Sequence, residues 1–273
     1  MKKWMYNTLI IIFAGVFLVS AGYLAWYFID AGKQANRYDE LEQLREQETT
    51  PRPTADEETD IVYENSDPIM VEVTDPETGE KVTLLSDFAQ LYTMNNDIVG
   101  WLSIPGTNIS YPVMHTPDSV DYYLKRNFDK EYSARGCLYA REQCDIFTPS
   151  DNITIYGHHM KDGSMLAGLD NYLEQTFFEE NPYIYFDTLT ELHTYKILAV
   201  FKTTAVEGKG FAYHRFVNAA NQAEFDEFVD TCKDLAFYDT GVDAQYGDKL
   251  ICLSTCEYTL IDGRLVVVAK RIA

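Results

Sequence analysis

From Tyr6 to Ile29 the chain reads YNTLIIIFAGVFLVSAGYLAWYFI, with no ionisable side chain other than tyrosine. A helix climbs 1.5 Å per residue, so about 20 such residues cross a hydrocarbon layer about 30 Å thick. Tyr6, Trp26 and Tyr27 stand near the ends, where amphipathic rings prefer the headgroup level. The run predicts one membrane-spanning helix over residues 6–29, after a short tail of residues 1–5. A cleaved leader ending at Val19–Ala21 is the rival reading, and the continuation of the apolar run past Ala21 counts against it. Orientation does not follow from charge: Lys2 and Lys3 precede the span, while Lys33, Arg37 and Arg45 follow it.

Beyond the span the composition turns acidic and broken. Residues 30–85 read as a linker or stalk: a short helical pattern with Tyr38, Leu41 and Leu44 on one face, then TTPRPTADEETD as an extended, solvated spacer. Within it MVEVTDPETGEKVTLL has the alternation of a hairpin, with Val71 and Val73 before a turn at Pro76–Gly79 and Val82 after it. Its membership of stalk or folded body stays open. A net charge of −21 leaves little basic surface to neutralise phosphates, which excludes nucleic acid as a partner. No cysteine and histidine spacing suits zinc and no Gly-rich loop precedes a Lys-Ser or Lys-Thr pair, so neither a metal nor a cofactor is expected.

The globular body is expected over residues 86–273. SDFAQLYTMN opens it with a capping serine and Phe88, Leu91 and Tyr92 at helical spacing. Short strands follow in GWLSIPG, ISYPVMH, GCLYA, NITIYGHH, TYKILAVFKTT, DKLICLST and GRLVVVAKRI, most of them bounded by turn signals. Two helical patterns interrupt, SMLAGLDNYLEQTFF and NQAEFDEFVDTCKDL. The pattern predicts a mainly β domain with inserted helices.

The chemistry concentrates near the C-terminus. The apolar run Leu250–Leu253 leads to Cys256, and Arg264 opens the next run, Leu265–Ala269. A cysteine attacks only as thiolate, and a neighbouring cation lowers its pKa. Arginine presents a fork of donors suited to an oxyanion. Of five histidines, His158 and His159 stand where a strand ends beside Gly157, and alternation allows only one of the two to face a cleft. His158, Cys256 and Arg264 together supply a proton carrier, a nucleophile and an electrostatic stabiliser, the set that acyl transfer at an amide needs. The residues alone leave open whether the trio is assembled in space. Cys232 and Cys252 read as core filler, and a Cys137–Cys144 pair stays an alternative.

YGHHMKDGSM, LSTCEY and GRLVVVAKRI, in this order, resemble the sortases, and class B sortases in particular. IVGWLSIPGTNISYPVMH and YYLKRNF resemble the opening of that class, and the Asn221–Leu235 helix falls where class B enzymes insert one. The resemblance covers residues 86–273. It implies a closed β-barrel of about eight strands, with an N-terminal helix and an inserted helix before the last two strands. It implies Cys256 as nucleophile, His158 as general acid and base, and Arg264 as oxyanion or substrate-carbonyl donor. Ser254 and Glu257 flank the nucleophile, and Leu124 and Phe211 fall where family members contact the signal peptide. It further implies a membrane-anchored protein with its N-terminus in the cytoplasm and its catalytic domain outside a Gram-positive cell. The partners implied are surface proteins bearing a C-terminal sorting signal, and an acceptor amine on a peptidoglycan precursor or a pilin. Class B members often carry an asparagine in the loop before YYL, where this chain has Asp118, Ser119 and Val120. A cell-wall thiol hydrolase is the alternative enzyme, although common ones place their cysteine before the histidine. A membrane-tethered scaffold without chemistry is the alternative outside enzymes, and intact His158, Cys256 and Arg264 count against it.

Overall fold

The structure, a computed structural model, describes residues 3–46 and 68–273. These divide into two compact units between Gln43 and Leu44. The first unit is the bulk of helix α1 (Lys3–Glu46), 44 residues long, which is long and apolar enough to cross a membrane. The expected span lies within it, and the helical pattern at Tyr38–Leu44 continues the same helix. The spacer at residues 49–60 lies outside the described residues.

The second unit begins its sheet structure with the expected hairpin, β1 (Met70–Thr74) and β2 (Lys81–Leu85), paired Val71 to Leu84 and Val73 to Val82. The Asp75 carboxylate accepts from the Glu77 and Thr78 N–H groups and closes the turn. Helix α2 (Ser86–Met94) follows directly. Ser86 is its first helical residue rather than its cap: Leu85 occupies the cap position with no side-chain bond to the helix. The hairpin is part of the folded body, since Ser86 N–H donates to Ile69 O and Leu85 N–H to Leu189 O.

Eight further strands close a barrel: β3 (Ile98–Ile104), β4 (Ile109–Met114), β5 (Leu138–Ala140), β6 (Asn152–Tyr156), β7 (Tyr183–Thr188), β8 (Thr194–Thr204), β9 (Leu250–Glu257) and β10 (Gly263–Arg271). Their order around the barrel is β10-β8-β7-β3-β4-β5-β6-β9. Closure leaves no sheet edge unpaired. The reading from sequence located seven of the eight; β7 was not among them. SMLAGLDNYLEQTFF, one helical pattern in sequence, is a 3₁₀ helix over Leu166–Leu173 followed by the short helix α3 (Gln175–Glu180). Leu166, Leu169 and Tyr172 stand three apart and are fully buried, the spacing that stacks residues on one face of a 3₁₀ helix.

Helix α4 (Gln222–Leu235) is the expected insertion, capped by the Asn221 side chain accepting from Glu224 N–H. Its Phe225, Phe228, Val229 and Cys232 pack on Ala199, Phe201, Cys252, Val266 and Val268 from the outer face of the barrel. Burying each phenylalanine contributes about 1.5–3 kcal/mol. With one face on the barrel interior and the other under α4, β9 and β10 are apolar on both sides, which explains their unbroken runs. Four cysteines are buried, and no disulfide joins Cys137 to Cys144. Cys232 and Cys252 sit at zero exposure, where burial raises both thiol pKa values.

Candidate active site

Residues that pair across a sheet point to the same face. Strand β9 pairs with β10 so that Cys256 lies opposite Arg264, and Arg264 lies opposite Thr203 of β8. On the other side β9 runs parallel to β6, with Ser254 opposite Tyr156. Carrying that register two residues further brings His158 level with Cys256. The join is held by Gly157 N–H donating to Ser254 O at 3.2 Å and Thr255 Oγ1 donating to Gly157 O at 2.8 Å. The register thus brings the sequence-predicted His158, two residues beyond the end of β6, toward the level of Cys256 on β9, and Cys256 pairs with Arg264 on β10.

The face of this row is the outer one. Cys252 is covered by α4, and Ser254, two residues on, is covered by Tyr213, whose phenol meets Ser254 Oγ at 2.5 Å. At Cys256 the cover ends. It alone of the five cysteines has solvent access, and His158 and Arg264 beside it are likewise half-buried.

The His158 ring is anchored by its backbone neighbour across the site. Nε2 lies 2.7 Å from Leu124 O, a carbonyl that can only accept, so this nitrogen carries a proton. Nδ1 is left for proton exchange. Leu124 thus enters through its main chain, at the end of a 3₁₀ turn over Tyr122–Lys125. That turn rests on a buried network in which Tyr123 OH donates to Asp97 and accepts from Asn95. His159 points elsewhere: its Nε2 meets Asp170 at 2.7 Å and its ring is edge-on to Tyr258.

Arg264 is aimed by its own turn. Its Nη1 donates to Gly263 O at 2.8 Å and to Asp262 O at 3.2 Å, and it meets no carboxylate among the described residues. The turn, residues 258–262, is in turn held by Glu257. One Glu257 oxygen accepts from Lys202 Nζ at 2.8 Å and Thr259 N–H at 2.9 Å; the other accepts from Leu260 N–H at 3.1 Å. Burial pushes the Glu257 carboxyl up, but these donors outweigh it and bring its pKa down to about 2. Gly263 must be glycine, because a Cβ there would sit 2.5 Å from Glu257 O.

The remaining expected contact residues ring the row. Phe211 N–H donates to Thr203 Oγ1 at 2.9 Å, which ties its loop to the strand position facing Arg264, and its ring packs on Phe201 and Phe228. Next to this wall, burial holds the His214 pKa below its ordinary value, and Arg141, Arg215 and Arg264 lower it further. Among the described residues no group of three or more His, Cys, Asp or Glu is arranged to hold a metal ion.

The family model "Sortase domain" matches residues 102–272. Sortase B of Staphylococcus aureus is 32% identical over 185 residues, covering 67% of this chain and 73% of that protein. Sortase B of Listeria monocytogenes is 31% identical over 186 residues, with the same coverage of 67% and 73%. Among solved structures, a Staphylococcus aureus sortase B-substrate complex superposes with a TM-score of 0.70 at 25% identity, over 89% of this chain and 98% of that one.

Proposed function

This chain belongs to the sortase family, cysteine transpeptidases that anchor surface proteins, and from that premise we propose that Cys256 is its nucleophile, His158 its proton carrier and Arg264 its oxyanion donor. The observation that carries the reading is that Cys256, the one cysteine not buried, pairs with Arg264 across β9 and β10, while His158 follows the end of β6, the strand on the other side of β9.

The steps follow from the atoms present. Cys256 passes its thiol proton to His158 Nδ1, and the resulting thiolate attacks the carbonyl carbon of a threonine within a five-residue sorting signal. Negative charge grows on the carbonyl oxygen, and the Arg264 fork, steadied by Asp262 O and Gly263 O, donates to it. As the C–N bond breaks, His158 passes the Nδ1 proton to the leaving amine; its other nitrogen stays bonded to Leu124 O. A thioester remains. An acceptor amine on a peptidoglycan precursor or pilin then attacks it, gives up a proton to Nδ1, and expels Cys256 as an amide forms.

Leu124 and Phe211 are read as walls that receive the signal peptide, whereas Ser254 lies buried under Tyr213. Glu257 serves through the turn it holds. Helix α1 is read as a membrane anchor with the N-terminus in the cytoplasm, which sets the catalytic domain at the outer surface where its substrates lie.

The test uses the full chain in detergent micelles with fluorogenic peptides of Asn-Pro-x-Thr, Leu-Pro-x-Thr and Ser-Pro-x-Thr types, with Cys256→Ala in parallel. Cleavage after threonine is expected, absent in the variant, and an added amine is expected to give a joined product in place of hydrolysis. Equal cleavage by Cys256→Ala would refute the assignment.

A further inference from the structure

His158 depends on two segments at once. Its backbone begins the loop over residues 159–165, and its ring leans on the carbonyl of Leu124, which lies 34 residues earlier in the chain. Nothing in the row itself fixes the distance between these two segments. The structure offers one side chain that does.

Arg135 is 6% exposed and stands in the segment that enters β5. Its Nη2 meets the Asp162 carboxylate at 2.5 Å and its Nη1 donates to Ser164 Oγ at 2.5 Å. Asp162 in turn accepts from Ser164 N–H at 3.1 Å and Ser164 Oγ at 2.7 Å, so the guanidinium grips a closed turn. That turn has its feet at the histidine. Leu166 N–H donates to His158 O at 3.0 Å, and His159 bridges Met165. The Asp162 pKa falls to about 2, with Arg135 as the leading cause.

The other end of Arg135 is fixed against Leu124. Gly136, the next residue, has φ of +59, and a Cβ there would lie 2.5 Å from Tyr123 O and 2.6 Å from Leu124 O. Cys137 N–H donates to Tyr123 O at 3.1 Å, and Ser133 N–H to Lys125 O at 3.0 Å. The segment 133–137 is therefore laced to the turn that presents the Leu124 carbonyl. One buried guanidinium spans from that segment to the loop carrying the imidazole.

We propose that Arg135 is a positioning residue for His158: by clamping the Asp162–Ser164 turn to the segment that backs Leu124, it holds the ring's Nε2 on the Leu124 carbonyl and presents Nδ1 to Cys256. The catalytic consequence rests on the proposed role of His158. The consequence for the ring does not. Releasing the clamp frees the loop and lets the imidazole exchange tautomers, so the fraction of molecules with Nδ1 available falls.

The experiment compares wild type, Arg135→Ala, Arg135→Lys and Asp162→Asn, each as the full chain in detergent micelles, with folding checked by near-UV circular dichroism. Histidine-selective ¹⁵N spectra, with His158 assigned through His158→Gln, read the ring directly. The wild-type ring is expected to carry its proton on Nε2, and the Arg135→Ala ring to show a mixture of tautomers. On the fluorogenic peptide, Arg135→Ala is expected to lose 10-fold or more in kcat with KM within twofold, and its pH–rate profile to move. Arg135→Lys is expected to recover part of the loss, since an ammonium keeps the Asp162 pair without the fork. Should Arg135→Ala fail to fold, Asp162→Asn loosens the same clamp and is held to the same readouts. An unchanged His158 ring signal in a folded variant, or a loss confined to melting temperature or KM, would overturn the proposal. A wild type without Cys256-dependent cleavage would instead defeat the functional reading, and the ring spectra would still decide this one.

Discussion

Neutralising Glu257 is the sharpest test of how the site is built, because its carboxylate touches the turn that aims Arg264. In Glu257→Gln the shape is kept and the charge removed. The side chain is 5% exposed and its Lys202 partner 24%, so water replaces little of what is lost. The carboxyl titrates near 2 in the fold against 4.5 ordinarily. A depression of about 2.5 units corresponds to about 3 kcal/mol of stability above the ordinary pKa. The sign is fixed: a carboxylate lowered in the native state contributes fully above about pH 4.5 and loses its contribution as pH falls through about 2. At pH 3 the unfolded chain has already taken up the proton while most of the native carboxylate has not, leaving roughly half of that contribution.

Thermal melts followed by near-UV circular dichroism therefore should separate wild type from Glu257→Gln by about 6–12 °C at pH 7, at about 2–4 °C per kcal/mol for a unit of this size. The gap should shrink to roughly half at pH 3. Turnover should fall as well, since a loosened turn moves the Asp262 and Gly263 carbonyls that hold Arg264 Nη1. Superimposable melts at pH 7, or a gap of equal size at both pH values, would refute the reasoning.

Arg264→Ala should remain folded by circular dichroism and lose about 10²–10³ in kcat on the fluorogenic peptide, the usual cost of one oxyanion donor; turnover like wild type would end its assigned role. Gly136→Ala should lose about 1–3 kcal/mol in thermal melts, from a left-handed backbone and a Cβ driven against two carbonyls, and should lower kcat because one of those carbonyls is Leu124 O. Asn221→Ala removes the cap of α4 and should cost about 1 kcal/mol in the same melts with kcat and KM unchanged, because α4 packs on the face below the row rather than on it.

The parts of the site that were legible in the sequence are those where one residue letter carries the chemistry and a strand carries the residue. Cys256 and Arg264 end and begin two apolar runs joined by a short turn, so a hairpin register alone makes them neighbours. His158 stood out because it follows a strand and a glycine, but its alignment with Cys256 needed the parallel pairing of β6 and β9, strands almost a hundred residues apart. Strand β7 went unread because YIYFDT follows directly on a helical pattern ending in two phenylalanines, with only Asn181 and Pro182 to mark the change. The 3₁₀ stretch reads in sequence only as helical, since residues three apart fit either period.

What orients the imidazole was hidden for a different reason. Its partner at Leu124 is a carbonyl oxygen, which every residue owns, and it is aimed by the turn that Tyr123 pins through Asn95 and Asp97. Arg135 looks in sequence like any surface cation before a glycine, yet it is buried because Gly136 lets the chain pass beneath two carbonyls and turns the guanidinium inward. Reactive groups are thus written in side chains, while their alignment is written in main-chain atoms and in whichever side chains the turns happen to bury. Substitutions at Gly136 and Arg135 should therefore reach His158 without touching any of the three residues that do the chemistry.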